Sequence, residues 1–500
     1  MATRRLLPDL VAELRTHLPG APRLWLVGGA VRDAILGRPV VDLDFAVDGA
    51  ARRLAREAAG WLGGAYYELD AERDTGRVLL PASRGGQTLD FARLRGASID
   101  EDLRGRDFTI DAMAVAFGAP ERVIDPTGGL QDLRDRVLRT VSRTAIEDDP
   151  LRALRAVRLA VDLDLRIEPQ SLVRVRAAAG LLAKVSAERV RDEWLRMLQA
   201  DRPGRPIRVL DALGLLSAIV PEIDGLREMT QPPPHDFDGF SHTLAVVDRL
   251  GDLLWALAPA PADDKVADLT LGEAALRLGR FRDGLDAYLG QEVASGHTRR
   301  QLLFMAGLLH DSGKPATGQL AEDGRLRFLG HETEGAHRAG DCARRMRLSR
   351  DEAEFLEGVV LNHMRPETLQ AAAMVTPSAA YRFFRDCGAA GIGAILLSLA
   401  DLLGKYAASP PQAEWAGRVG VSRSLLEAFF EQHALIVEPP RLLGGDEIMH
   451  ELGLNPGPAI GRLLEALREA QAAGGVTTRE EAVAFLRATL KGTGSADDDL

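Results

Sequence analysis

The hydrophobic pattern of the chain changes character twice. From Leu26 to about residue 140, short apolar runs with period two alternate with stretches of helical period, which predicts a small α/β domain. Residues 3–19 read as an amphipathic helix. Leu26-Val-Gly-Gly-Ala-Val-Arg-Asp33 then reads as a strand, a glycine pair and a short helix from about Ala30. A second strand follows over Val40–Val47, then a helix over 50–60 and strand-like pieces at Ala65–Leu69, Arg77–Leu80 and Thr88–Ala92. Side chains alternate along a strand, so Leu43 and Phe45 should enter the core while Asp42 and Asp44 share the opposite face. From Ala145 onward the pattern is helical, and Pro150 in a first turn, preceded by acids, marks a helix start. The proline cluster Gln231-Pro-Pro-Pro-His predicts a domain boundary. The fold class expected is therefore α+β, a small α/β head followed by helical domains. Four segments are expected: 1–140, 141–228, 235–407 and 408–490, with the acidic end 491–500 disordered. Residues 252–300 carry no motif and read as an insertion.

Composition narrows this picture. A chain of 500 residues exceeds what one core supports, and 46% hydrophobic with 27% charged residues is typical of soluble globular proteins. Two cysteines cannot build a disulfide framework, which fits a reducing cytoplasm. With no apolar run of spanning length and no convincing signal peptide, the expectation is a cytoplasmic protein with no membrane partner. The net charge of −11 excludes a uniformly basic nucleic-acid binder, so any such surface must be local. One basic excess falls in 134–210, where 17 Arg and Lys face 11 Asp and Glu.

The chemistry begins at Asp42 and Asp44, two carboxylates on one strand face that suit Mg²⁺ held together with substrate phosphates. Gly28 and Gly29 beside a helix N-terminus offer amides to an anion, with Arg32 one turn on. Asp90, in a later strand, could supply a third carboxylate, and three suit two-metal nucleotidyl transfer better than two. Asp149 and Arg152, three apart at the helix start, could read the edge of a base, since a carboxylate accepts from an exocyclic amine and a guanidinium donates to ring acceptors. Further on, His242, His310-Asp311, His331, His337, His363 and Asp401 form a second constellation, and imidazole with carboxylate suits a divalent transition metal as well as Mg²⁺. His337 is expected to face solvent.

Asp102-Leu-Arg-Gly-Arg-Asp-Phe-Thr-Ile-Asp-Ala-Met113 and Ile124-Asp-Pro-Thr-Gly-Gly-Leu-Gln-Asp-Leu133 complete a set that resembles the tRNA nucleotidyltransferase and bacterial poly(A) polymerase family. The resemblance implies a polymerase-beta-like nucleotidyltransferase head with a helical neck, catalytic Mg²⁺ on Asp42 and Asp44, and tRNA, CTP and ATP as partners. It makes Arg106 and Asp107 contacts of triphosphate and ribose, and Asp148, Asp149 and Arg152 the elements that choose the base. Arg155 and Arg158, on the same helix, join the nucleotide contacts. Glu188-Arg-Val-Arg-Asp-Glu193 matches a neck element, in which Arg189 and Glu193 are spaced to pair. Two departures stand out: Gly105-Arg106 where the family has Arg-Arg, and Asp111 where it has Asn.

The order H…HD…D resembles the HD phosphohydrolase superfamily, with His242, His310, Asp311 and Asp401 as implied ligands and His331 and His363 completing a second position. An HD fold that only grips RNA is the other reading of that domain. The tail after 408, with Leu442-Leu-Gly-Gly-Asp-Glu447, is implied to meet tRNA. Relatives that add all of CCA commonly carry a longer flexible segment between the third carboxylate and the R-D-F-T element; here only residues 91–105 separate Asp90 from Arg106. That predicts addition of CC, with addition of the full CCA left open. The rivals are a poly(A) polymerase or A-adding enzyme, and an HD phosphohydrolase whose inactive head binds RNA.

Overall fold

The computed structural model describes residues 9–17, 23–200, 202–232, 234, 236–259, 268–294, 296–323, 325–372 and 374–493. The chain forms two compact units, 1–190 with 209–218, and 191–208 with 219–500.

The first unit is built on a seven-stranded mixed sheet. Its strands are β1 (Leu24–Val27), β2 (Asp42–Val47), β3 (Ala65–Asp70), β4 (Thr75–Leu79), β5 (Thr88–Arg93), β6 (Ala114–Ala116) and β7 (Ala119–Ile124), in the spatial order β3-β4-β5-β2-β1-β6-β7. Every pairing is antiparallel except β2 with β5. Parallel neighbours need a crossover, supplied here by α3 (Ala51–Leu62), which follows α1 (Asp9–His17) and α2 (Gly29–Leu36). Alternation along β2 buries Leu43 and Phe45 and leaves Asp42 exposed and Asp44 half-buried. Phe45 stacks on Phe91 of β5 with centroids 4.8 Å apart. Each such burial is worth about 1.5–3 kcal/mol, so the aromatic pair clamps the two strands whose other face carries the acids.

Beyond the sheet come α4 (Ile99–Arg104), α5 (Gly129–Arg134), α6 (Ala145–Asp148), α7 (Leu151–Asp162) and α8 (Pro169–Ala177). Asp125 braces the Asp-Pro-Thr-Gly-Gly turn by accepting from the amides of Gly128, Gly129 and Leu130 at 2.8–2.9 Å. The unit boundaries fall within α9 (Ala187–Leu198), α10 (Gly204–Ala212) and the short α11 (Leu216–Ile219).

The second unit is helical: α12 (Gly239–Ala256), α13 (Leu269–Leu278), α14 (Arg282–Gly290), α15 (Arg299–Leu309), α16 (Lys314–Thr317), α17 (His331–Arg345), α18 (Arg350–Asn362), α19 (Arg365–Ala371), α20 (Pro377–Cys387) and α21 (Gly391–Gly404). Then follow α22 (Gln412–Phe430), α23 (Gly445–Leu452), α24 (Pro458–Ala472) and α25 (Arg479–Thr493). The last three share a separate small core of Leu443, Ile448, Ile460, Leu463, Leu467 and Leu486.

Several expectations need correction. The first helix is described only over Asp9–His17; the remainder of 3–19 lies outside the described residues. The last helix runs to Thr493, past the expected onset of disorder at 491, and 494–500 lie outside the described residues. One stretch, Pro377–Gly404, is long and apolar enough to cross a membrane, although no such run was expected. Its window is 89% buried, and every residue of α21 is buried, which is the character of a central core helix.

Candidate functional site

Two clusters of chemistry emerge, one in each unit. In the first, the parallel register places Asp44 directly opposite Asp90 and Asp42 opposite Thr88, so three carboxylates converge on one sheet face. Burial, followed by the charge of Asp90, pushes the Asp44 carboxyl up to about 6, against the pull of Arg106. A group held this far from its ordinary value by burial and a neighbouring like charge is poised for a cation. Gly28 sits beside it with φ +73, and a Cβ there would meet Arg106 Nη1 at 3.0 Å and Asp44 Oδ2 at 3.7 Å. Only glycine takes that backbone conformation without strain while letting Arg106 lie across the acids.

Arg106 is aimed by Asp102, which is buried in α4 four residues earlier. Its Oδ2 accepts from Arg106 Nε at 3.2 Å, and its Oδ1 accepts from the Arg95 amide at 3.0 Å. The Ala97 amide donates to Glu101 at 2.8 Å. The five residues 94–98 between β5 and α4 are thus tied down at both ends. Asp90 is held by Arg77 of β4, its register partner, through two bonds of 2.8 Å. Arg32 pairs with Asp111 at 2.5 Å and with Asp33 at 2.9 Å. Asp111, standing where Asn was expected, is therefore a buried partner of Arg32; burial, outweighing that arginine, raises its carboxyl. Gly29, at the start of α2, packs against the Arg32 guanidinium.

The residues expected to read the base differ in detail from expectation. Asp149 is not on the helix with Arg152: it lies between α6 and α7 in extended backbone, φ −147 and ψ 97, and the two meet through the Arg152 amide on the Asp149 carbonyl at 3.0 Å, not through a side-chain i,i+3 pair. Proline at 150 disfavours the helical conformation for its predecessor. Asp149 instead accepts from Arg189 at 2.7 Å, which also corrects the expected Arg189–Glu193 pair. Glu193 lies 3.8 Å from Arg196. Arg152 reaches the carbonyls of Ala145 at 3.1 Å and Gly105 at 3.5 Å, which brings a guanidinium to the position where the expected first arginine of the Arg-Arg pair is missing. Asp148 accepts from Thr144 at 2.9 Å. Asp107 pairs with Arg155 at 2.8 Å; burial alone would raise its carboxyl, but the guanidinium and the Phe108 amide hold it below the ordinary range. Arg158 turns to Asp162 at 3.6 Å, within its own helix.

In the second unit, six side chains from three helices (α12, α17 and α21) and the C-terminal ends of two others (α15 and α18) meet in a buried cluster. His242, His310 and Asp401 form one group, and Asp311, His331 and His363 another, with the possible ligand atoms of each group within 4.8 Å of one another. Asp311 faces both: its Oδ2 lies 3.4 Å from Nε2 of His242 and of His310, and its Oδ1 lies 3.7 Å from His331 Nε2. Each imidazole is oriented through Nδ1 by a backbone carbonyl, at Gly404 (3.1 Å), Gly307 (2.8 Å), Phe328 (2.8 Å) and Val360 (2.6 Å). That bond fixes the tautomer and turns Nε2 inward, the arrangement of a metal-ligating histidine. The Nε2 atoms of His331 and His363 are buried without a hydrogen-bond partner. Burial opposes a charge on His310, yet Asp311 and Asp401 push it up to about 10, while burial and then His310 hold His363 down at about 3. The donor set fits divalent ions. Gly313 permits the assembly by close approach: a Cβ there would lie 2.2 Å from the His331 carbonyl. His337 is exposed, as expected.

Sequence reasoning missed the residues that aim these groups: Arg77, Asp102, Lys314 and the pairing of Arg189. Asp102 and Arg106 carried a readable signal in their i,i+4 spacing. Lys314 donates to Asp311 at 2.6 Å and to Gln231 at 2.9 Å. Buried His297, within the supposed insertion, bonds Glu352 at 2.6 Å and so ties that segment to α18.

Comparison with known proteins assigns the whole. Residues 24–139 match the poly A polymerase head domain, 164–226 the probable RNA and SrmB-binding site of polymerase A, and 240–404 the HD domain. The chain is 36% identical to the A-adding tRNA nucleotidyltransferase of Deinococcus radiodurans, over 94% of this chain and 96% of that one. It is 33% identical to the CC-adding tRNA nucleotidyltransferase of Geobacter sulfurreducens, over 96% and 94%. Its fold resembles the Thermotoga maritima CCA-adding enzyme complexed with tRNA, with a TM-score of 0.56 at 21% identity, covering 97% of both chains. With head motifs, neck and HD centre all in order along its length, the chain belongs to the tRNA nucleotidyltransferase family with a poly(A) polymerase head and an HD domain.

Proposed function

We propose that the head transfers CMP from CTP to the 3′-hydroxyl of tRNA, twice in succession, and releases pyrophosphate each time. The observation that carries this reading is the β2–β5 register, which stacks Asp44 against Asp90 under Gly28 and Arg106. Asp42 and Asp44 would hold Mg²⁺, which when bound activates the attacking hydroxyl and neutralises the leaving pyrophosphate. The hydroxyl oxygen bonds the α-phosphorus, the α–β anhydride bond breaks, and the hydroxyl proton leaves to solvent. Arg106, aimed by Asp102, faces the phosphates; Asp107, with Arg155, positions the ribose; Asp90 contributes its charge from its pair with Arg77.

Asp149 and Arg152 would present a fixed donor–acceptor edge to cytosine, with Arg189 steadying Asp149 and Asp148 closing the preceding helical turn. The relatives carry both A-adding and CC-adding names, so the product rests on this chain's own pocket. The tied-down residues 94–98 support a pocket that does not switch from C to A, and hence CC. Labelled CTP, UTP and ATP offered singly test the base-reading pair: Arg152→Ala should lose about 10- to 100-fold of its preference for CTP over UTP, the worth of one good base contact. Unchanged selectivity would remove Arg152 from that role.

For the HD centre the reading extends to a second activity, hydrolysis of a phosphate ester: the two triads would hold divalent ions, which when bound would activate a water. Lys314, buried against Asp311, adds a cation that suits a phosphate-bearing substrate and sets this reading above an RNA-gripping fold. The division into head 1–140, neck 141–228, HD domain 235–407 and tRNA-binding tail 408–490 follows from the same reading. So does a cytoplasmic site of action, where tRNA and nucleotides are at hand.

A further inference from the structure

The match to the HD domain ends at residue 404, but the charges around its ligands do not. Asp401 directs Oδ1 at His242 Nε2 (3.0 Å) and His310 Nε2 (3.7 Å), whereas its Oδ2 faces Lys405 Nζ at 3.7 Å. Lys405 Nζ lies 3.2 Å from Glu367 Oε2, and that same oxygen receives Arg418 Nη2 at 3.0 Å. Arg418, on α22, is 1% exposed. It also donates to Ser398 Oγ at 2.8 Å, the Ser398 carbonyl at 3.2 Å and Gln370 Oε1 at 2.8 Å.

A buried arginine and lysine are costly. Apolar residues of similar volume would commonly stabilise such a site as well or better, so stability alone gives little reason for them. What the chain of charges does is fix one carboxylate. Burial would raise Glu367, but Lys405 and Arg418 hold it below its ordinary range, so it remains an anion between two cations. Lys405 is thereby pinned where it engages one oxygen of Asp401.

We propose that Lys405, held by Glu367 and by Arg418 from outside the HD domain, is a positioning residue for Asp401. It engages Oδ2 and leaves Oδ1 alone to complete the His242–His310 position. The inference rests on reading the triads as a metal centre. It makes that position dependent on α22, a helix beyond the HD domain match.

The test separates positioning from charge, because the two predict opposite signs. Removing a cation near a metal strengthens metal binding if only its charge matters; removing a group that aims a ligand weakens it, typically about 10- to 100-fold. Co²⁺ is titrated into the full chain without nucleotide and followed by its visible absorption, which reports imidazole ligation and coordination number. For Lys405→Met, one of the two binding events should weaken about 10- to 100-fold, with an altered band as Asp401 becomes free to ligate through both oxygens. The other event should be unchanged, Lys405→Arg should recover most of the loss, and nucleotide addition by the head should stay at its original rate. If Lys405→Met loses its fold, shown by loss of that addition, Arg418→Lys replaces it with the same expected weakening. Co²⁺ binding that is unchanged or tighter, with an unaltered spectrum, overturns the proposal. Absence of any Co²⁺ event in the unaltered protein overturns the metal reading itself, and the inference with it.

Discussion

Asp42→Ala and Asp44→Ala are each expected to abolish nucleotide addition and to spare the phosphate-ester hydrolysis proposed for the HD centre. Metal stabilisation of a transferring phosphoryl group is worth several kcal/mol, and each ~1.4 kcal/mol is a factor of ten, so the rate should fall about a thousandfold or more. The two side chains are not equivalent in stability. Asp44 is pushed up to about 6 by burial and by Asp90, against about 3.9 in an unfolded chain. Because its folded value is raised, the metal-free fold binds the proton more tightly than the unfolded chain does. Ionisation therefore costs stability, fully so above about pH 6, and the cost fades as pH falls towards 4. Asp44→Asn should accordingly stabilise the metal-free protein at pH 8 by on the order of 2 kcal/mol, seen as a higher melting temperature, and leave it unchanged at pH 4. Thermal denaturation at the two pH values checks this, and a destabilised Asp44→Asn at pH 8 contradicts the electrostatic description of the cleft.

The second large effect is expected at Asp311. Its two oxygens face different triads, so Asp311→Ala should remove ions from both positions, whereas His363→Ala removes them from one. Hydrolysis at this centre should fall about a thousandfold while CMP addition continues. The alanine also strands Lys314, whose ammonium is buried 2.6 Å from the lost carboxylate. Breaking one half of a buried pair costs about 3–5 kcal/mol. Adding Lys314→Met to Asp311→Ala should restore most of that stability without restoring metal. Metal stoichiometry and thermal denaturation of the single and double variants together separate the two roles; a double variant no more stable than the single one shows that Lys314 finds another partner.

How much of this could be read from the chain depends on how local each cause is. The strand period alone placed Asp42 and Asp44 opposite Leu43 and Phe45, because a face is fixed two residues at a time. The pairing of Asp44 with Asp90 needed the β2–β5 crossover, which no local pattern specifies. Asp149 was misplaced onto the helix because the acids before Pro150 look like a helical first turn; the proline's clash with its predecessor makes it extended and hands it to Arg189, forty residues on. Asp111, a departure from the expected Asn, is explained by Arg32 across 79 residues. The histidines of the HD centre were legible as a set because metal chemistry restricts residue type. Lys405 and Arg418 were not, since a buried cation is recognisable only once its partners are in place.

The central claim is that an acidic cleft and a protein-borne base edge together extend tRNA without a template. It is tested most directly by sequencing the 3′ ends of tRNA, initially lacking CCA, after reaction with CTP and ATP together. The account predicts two cytidines and a halt, with no product from Asp42→Ala. Repeated addition of adenosine to any RNA, or a single adenosine added only to ends that already carry CC, would contradict it.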